Sequence, residues 1–214
     1  MTKLDLDDSA AMLRAVSQAV IDQTDILTEA DLAIGDGDHG IGMRRGFEAA
    51  LVSLETQPAS IEEAFKAVGT AILSQTGGAA GAIFGTLFRS GAKAFSAHDE
   101  MDGETYAAFL DQGMQAVLKR GGVVEGQKTI IDAAAPAARA ARSTAAQGLA
   151  PAATAAAEAA LAGVEATRGM IATTGKARSL GERSLGFPDP GAISVSLILV
   201  AMRDFIVSKG KSNG

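Results

Sequence analysis

A chain of 214 residues, 47% of them hydrophobic, is long enough to bury one large core and too apolar for a disordered segment. Its formal charge of −6, with no basic stripe, argues against nucleic acid as a partner, and the lack of cysteine removes disulfides and thiolate metal sites. Residues 1–5 have no apolar signal core, and the longest apolar run, residues 192–202, falls short of the ~20 needed to span a bilayer; no membrane partner is expected, and the cytoplasm is the expected compartment.

Hydrophobic spacing is helical along nearly the whole chain. Leu13, Val16 and Val20 recur at helical intervals and predict a helix over 8–22, followed by one over 25–33 and one over 41–56. After Pro58, Ser60 and Glu63 form a capping-box pattern that starts a helix over 61–76, whose buried face is Ile61, Phe65, Val68 and Ile72. Helices over 80–97 and 103–120 follow, the second marked by Leu110, Met114, Val117 and Leu118. The alanine-rich stretch 129–173 has high helix propensity and is punctuated by Gly148 and Pro151, so it divides into two helices near 148. Pro136 sits near the start of the first, to be tolerated in an opening turn or to kink it, and the alanines of 133–160 are core or interface. Asp189 and Pro190 supply an N-cap and first-turn pair for a last helix over 190–208, beyond which Lys209, Gly210 and Lys211 read as a frayed tail. No run alternates with period two and no linker divides the chain, so the expectation is a single all-α domain of about eight helices.

The densest chemistry lies in Gly35-Asp36-Gly37-Asp38-His39-Gly40. With Asp31 just upstream, three hard oxygen donors fall within eight residues, the ligand type that suits Mg²⁺. Gly35, Gly37 and Gly40 match a dinucleotide fingerprint, but Asp36 and Asp38 would repel a pyrophosphate. An EF-hand starting at Asp36 needs a glutamate where Phe47 stands, and a Walker loop ending at Thr129 is broken by Gln127 between Gly126 and Lys128. Further glycine clusters, at Gly77-Gly78, Gly121-Gly122 and Gly175 through Gly191, fall near expected helix ends. In an antiparallel bundle alternate helix ends share a rim, and helix N-termini offer free N–H groups to phosphate, whereas Gly121-Gly122 taken alone is a helix C-cap. His98, followed by Asp99, reads as a solvated loop residue.

Taken together, Asp31 with Ile34-Gly35-Asp36-Gly37-Asp38-His39-Gly40, Thr76-Gly77-Gly78-Ala79-Ala80-Gly81, Gly126-Gln127-Lys128-Thr129, Gly175-Lys176-Ala177-Arg178, Gly181-Glu182-Arg183-Ser184 and Asp189-Pro190-Gly191-Ala192 resemble the nucleotide-binding L subunit of the dihydroxyacetone kinases over nearly the full length. The resemblance implies an eight-helix antiparallel up-and-down barrel with ADP or ATP and two Mg²⁺ ions at one rim. It implies Asp31, Asp36 and Asp38 as metal ligands. It further implies His39, Gly42, Gly78, Ala79, Ala80, Gly121, Thr129 and Ile130 around the nucleotide, with Arg178, Asp189 and Gly191 completing its seat. The chain departs from the family pattern at Gly42, Ala80, Gln127 and Ile130, where Asn, Ser, Asp and Met are usual. A sugar-binding K subunit is the implied partner, and the phosphoryl donor is either ATP or a phosphotransferase-system protein. Some family members instead sense nucleotide charge and bind a transcription regulator, and the oligomeric state, a homodimer included, is left open.

Overall fold

The structure is a computed structural model and describes residues 3–212; Met1 and Thr2, part of the stretch read for a signal, lie outside the described residues. Among these residues there are nine α-helices and no strand: α1 (Leu6–Asp22), α2 (Thr24–Ile34), α3 (His39–Ser53), α4 (Ile61–Gln75), α5 (Gly78–Gly91), α6 (Gly103–Gly121), α7 (Ile131–Thr144), α8 (Leu149–Thr167) and α9 (Pro190–Ser212). The all-α expectation holds: α2 falls on the helix expected over 25–33, and the expected segments, with 129–173 divided in two, are themselves nine rather than about eight.

Local chemistry sets the helix starts. Asp5 accepts the Asp8 amide at 2.9 Å to open α1, and Ser60 accepts the Glu63 amide at 3.1 Å to open α4. Glu63 reaches back to the amide of Ala59 at 3.0 Å rather than to Ser60, so the expected box closes one residue early. A full capping box, which the sequence reading passed over, joins Asp102 and Thr105 at the start of α6. Asp189 accepts the Ala192 amide at 2.8 Å ahead of Pro190, as the cap at α9 requires.

Several boundaries differ from the expectation. The helix expected over 80–97 ends at Gly91 and tightens into a 3-10 turn over Ala92–Phe95. The stretch 129–173 is helical only from Ile131 to Thr167, with its break at Ala145–Gln147 and at Gly148, whose φ of 115° suits glycine alone. Pro136 lies in the second turn of α7, which continues through it. It leaves the Asp132 carbonyl without its usual helical donor, and that is where Gly163 of α8 approaches most closely. The last helix runs on through Lys209, which ion-pairs with Asp8 of α1, so the frayed-tail reading is corrected.

Packing follows the chain. α1 lies against α3, and from α3 each helix packs on its successor through to α9, which returns to α1; α2 stands outside this ring against α3 and α9. Phe65 anchors one part of the core, with ring centroids 6.2, 4.7 and 4.8 Å from Phe88, Phe95 and Phe109. The alanines of α7 and α8 are core: Ala133, Ala137, Ala141, Ala153 and Ala157 are fully buried, their small side chains letting the two backbones close on one another. A small apolar cavity of about 20 Å³ remains between Phe84, Phe109, Ala134 and Val195.

Connections of like parity meet. Gly103 at the start of α6 abuts the Ala145–Gly148 break, which places the α5–α6 and α7–α8 links at one end. At the other end the α2–α3, α4–α5, α6–α7 and α8–α9 links come together through Gly42 on Thr76, Gln127 on Thr173, Gly191 on Ile130 and Lys176 on Asp36. This second end carries the acidic loop.

Candidate metal and nucleotide site

The acidic loop is shaped by three local constraints. Asp31, in the last turn of α2, is only 8% exposed and accepts the His39 amide through Oδ2 at 3.2 Å, tying the end of α2 to the start of α3. Gly35 has no room for a side chain, because a Cβ would run into the Asp31 carboxylate. Gly37 turns the chain with a φ of 80°. The outcome is that one oxygen from each of Asp31, Asp36 and Asp38 lies within 4.8 Å of the others. Asp36 and Asp38 are solvent-exposed and Asp31 lines the floor.

A cation already lies on these carboxylates. Lys176 Nζ donates to Asp36 Oδ2 at 2.5 Å and to Asp38 Oδ2 at 3.1 Å from a 3-10 segment, Lys176–Ser184, that the periodicity gave no sign of. The Lys176 bond holds the Asp36 carboxyl below the usual carboxylate range, and the two aspartates push the Lys176 ammonium up. Three convergent hard oxygens, two of them open to solvent and engaging a positive charge, fit a divalent cation such as Mg²⁺.

The resemblance implies Arg178 in the nucleotide seat, and it is the nearby cation expected to balance the acidic loop. Its side chain is exposed and makes no hydrogen bond or ion pair among the described residues, so the cation that reaches the loop is Lys176, two positions earlier. The alternation of short and long side chains in Gly175-Lys176-Ala177-Arg178 gave no means of choosing between them. Ser194 is a second omission. Its hydroxyl lies 2.8 Å from His39 Nε2 and donates to the Pro190 carbonyl at 3.2 Å, so it accepts from an Nε2–H tautomer. Burial pulls the His39 pKa down, against the opposing charges of Asp31 and Asp38.

The other nucleotide candidates divide by position. Gly78, Ala79 and Ala80 form the first turn of α5, whose preceding Gly77 offers no capping side chain; their amides face an exposed, uncapped helix N-terminus suited to an anion. Gly42 is buried, and a Cβ there would lie 2.9 Å from the Thr76 carbonyl, so this packing leaves little room for a side chain. Ile130 is buried with its Cβ 3.5 Å from where a Cβ of Gly191 would stand, joining the α7 and α9 starts. Thr129 donates its amide to Asp132 Oδ2 at 2.7 Å. Gly121 ends α6, and Gly122 takes a φ of 60° with its amide on the Leu118 carbonyl, so this pair is the helix C-cap it resembles when taken alone. Asp189 is pushed up to about 7, chiefly by burial and also by the charge of Asp132, against its bond from Ala192 and the charge of Lys128. Exposed apolar side chains belong to the same links: Leu32, Ile41, Ile171, Leu185 and Phe187.

Comparison with known proteins gives the family and the fold. Residues 33–204 match the DAK2 domain. The chain is 36% identical over 205 residues to the PEP-dependent dihydroxyacetone kinase 1, ADP-binding subunit DhaL, of Listeria innocua, covering 95% of this chain and 98% of that one. It is 36% identical over 180 residues to the corresponding PEP-dependent ADP-binding subunit of Escherichia coli, covering 83% and 86%. The L-erythrulose 1-kinase of Mycolicibacterium smegmatis is 34% identical over 92% of this chain, which spans 35% of that longer protein. Among solved structures, the dihydroxyacetone kinase of C. freundii superposes with a TM-score of 0.72 at 24% identity over 92% of this chain and 34% of its own, a likeness of fold. With near end-to-end matches to single-subunit relatives, the chain belongs to the DAK2 domain family, among the DhaL-type subunits of dihydroxyacetone kinases.

Proposed function

We propose that this chain is the nucleotide-bearing subunit of a kinase for dihydroxyacetone or a related short keto sugar, holding ADP and Mg²⁺ at its rim and passing a phosphoryl group to sugar bound by a separate K subunit. The observation that carries the reading is the convergence of Asp31, Asp36 and Asp38 beside an uncapped α5 N-terminus. Bound there, Mg²⁺ neutralises phosphate charge as it builds in transfer. On this reading the three aspartates would hold the metal, two ions as the resemblance implies, the amides of residues 78–80 would be the donors to phosphate, and Ile130 would lie on the base side of the seat. The relatives that match from end to end are PEP-dependent ADP-binding subunits, which supports a resident ADP recharged by a phosphotransferase-system protein rather than exchanged for ATP.

The chain's own residues bind and orient, and two titratable side chains beside the rim, His39 and Asp189, are already engaged. His39 is held by Ser194, and Asp189 is committed to the start of α9. The acceptor and its base therefore come from the partner, docked on the rim that exposes Leu32, Ile41, Ile171, Leu185 and Phe187. The test is to identify the nucleotide that copurifies and to follow its exchange. ADP that survives gel filtration and exchanges slowly with ATP is expected. A chain that binds neither ADP nor ATP in the presence of Mg²⁺ overturns the reading.

A further inference from the structure

Lys128 is the one side chain of a near-Walker loop that would be aimed at phosphate if the motif were intact. It points the other way. Lys128 is 2% exposed, and its backbone is left-handed with a φ of 61°, rare for a residue with a side chain. Its Nζ donates to the carbonyl of Thr167 at 2.6 Å and to that of Phe187 at 2.5 Å. Thr167 is the last residue of α8, and its carbonyl, which also accepts the Met170 amide at 3.1 Å, lies at the negative end of the helix dipole. Phe187 lies in the turn that leads into α9. One ammonium thus ties together three segments: the loop before α7, the end of α8 and the turn before α9.

Two of the three segments it joins form one part, in two halves, of the candidate nucleotide seat. Thr129 and Ile130 follow Lys128 directly, and Asp189 to Gly191 follow Phe187; the halves touch where Gly191 meets Ile130. Nothing else among the described side chains reaches both from beneath. Asp132 shapes only the first, accepting the amides of Gly126 and Thr129, while Thr167 Oγ1 supports only the second, accepting the Asp189 amide at 2.9 Å. We propose that Lys128 is a positioning residue, a tethered cation that holds the Thr129–Ile130 half of the seat in register with the Asp189–Gly191 half. The inference rests on the kinase reading for the ligand that the seat receives. Burial draws the Lys128 pKa down, and the nearby charges of Asp189 and Asp132 offset this only in part.

The experiment compares wild type, Lys128→Met and Lys128→Ala by three readouts: Mg-ADP affinity by calorimetry, Mn²⁺ binding to the acidic loop by electron paramagnetic resonance, and amide exchange over residues 186–191. Lys128→Met is expected to weaken Mg-ADP by about tenfold, the scale on which outer-shell supports act, to leave Mn²⁺ binding unchanged and to speed exchange in the turn. In Lys128→Ala, propylammonium, which replaces the atoms removed, is expected to restore affinity, and tetramethylammonium, which cannot donate, is not. Wild-type Mg-ADP affinity in Lys128→Met overturns the proposal. So does loss of Mn²⁺ and nucleotide together without amine rescue, or an unfolded Lys128→Met with a Lys128→Ala that propylammonium does not restore, since either makes Lys128 a general requirement of the core. A wild-type chain that binds no Mg-ADP instead defeats the kinase reading, and exchange over 186–191 still decides the role of Lys128.

Discussion

Asp36 and Lys176 make one residue-scale test of the site. Asp36 is exposed and does not support the core, so Asp36→Ala should keep the helical circular dichroism spectrum while weakening Mg-ADP by at least about tenfold; calorimetry showing the wild-type affinity would remove the loop from metal binding. Lys176→Ala should reduce phosphoryl transfer in the presence of the K subunit more than Arg178→Ala, and the opposite order would return the role to Arg178. Asp189 provides a test by pH. Its folded pKa of about 7 lies above its unfolded value, so the folded state binds the extra proton between roughly pH 4 and 7. Its contribution to stability is therefore present at the acid end and is lost as pH rises through that window, by at most about 1.4 kcal/mol per unit. Asp189→Asn keeps a capping side chain and should flatten that part of the melting-temperature profile; an unchanged slope would assign it to another group. At this scale the carboxylate cluster was legible, because the three aspartates lie close together in sequence with their glycines. Lys176, Ser194 and Lys128 were not, because each meets its partner across a large span of chain and none is marked by local spacing.

Helix crossings depend on glycines that propensity would count as defects. Gly69 of α4 and Gly85 of α5 lie in one crossing, and a Cβ on Gly85 would stand 2.8 Å from the Gly69 carbonyl and 2.7 Å from Leu73 Cβ. Propensity alone makes Gly85→Ala stabilising by about 1 kcal/mol, whereas the crowding costs about 1–3 kcal/mol, so urea titration should show a net loss. A gain would mean that α4 and α5 separate freely. Element type was readable throughout because amphipathic spacing is long-range and redundant, as in Ile61, Phe65, Val68 and Ile72, all of which are buried. Ends were read less well. The 3-10 segment Lys176–Ser184 carries little apolar periodicity and contains Gly181 at a φ of 54°, and the continuation of α9 through Lys209 depends on an ion pair with Asp8, a residue at the far end of the sequence.

The whole molecule separates a functional rim from an opposite end occupied by Asp5, Ser60 and His98. Because the acceptor hydroxyl must lie in line with the phosphate, purified chain with dihydroxyacetone, ATP and Mg²⁺ should give no product until a cognate K subunit is added. Robust turnover by the chain alone would mean a sugar pocket within the helices. Phe187→Asp, at the exposed part of the rim, should weaken association with the K subunit while leaving Mg-ADP affinity unchanged, measured by surface plasmon resonance and calorimetry. The closed order of helices was implied by family resemblance and could not be built from periodicity, which says which face is apolar but not which helix covers it.

The return of α9 to α1 has a consequence during synthesis. α1 leaves the ribosome well before α9, and although α3 can cover part of its apolar surface early, the part that meets α9 stays open while the intervening helices are made. At about 5–20 residues per second this interval lasts roughly ten seconds or more, a long time for an uncovered helical face. The nascent chain thus carries an open seam until α9 arrives, and this seam is where a chaperone that binds apolar surface, or a second nascent chain, would engage it.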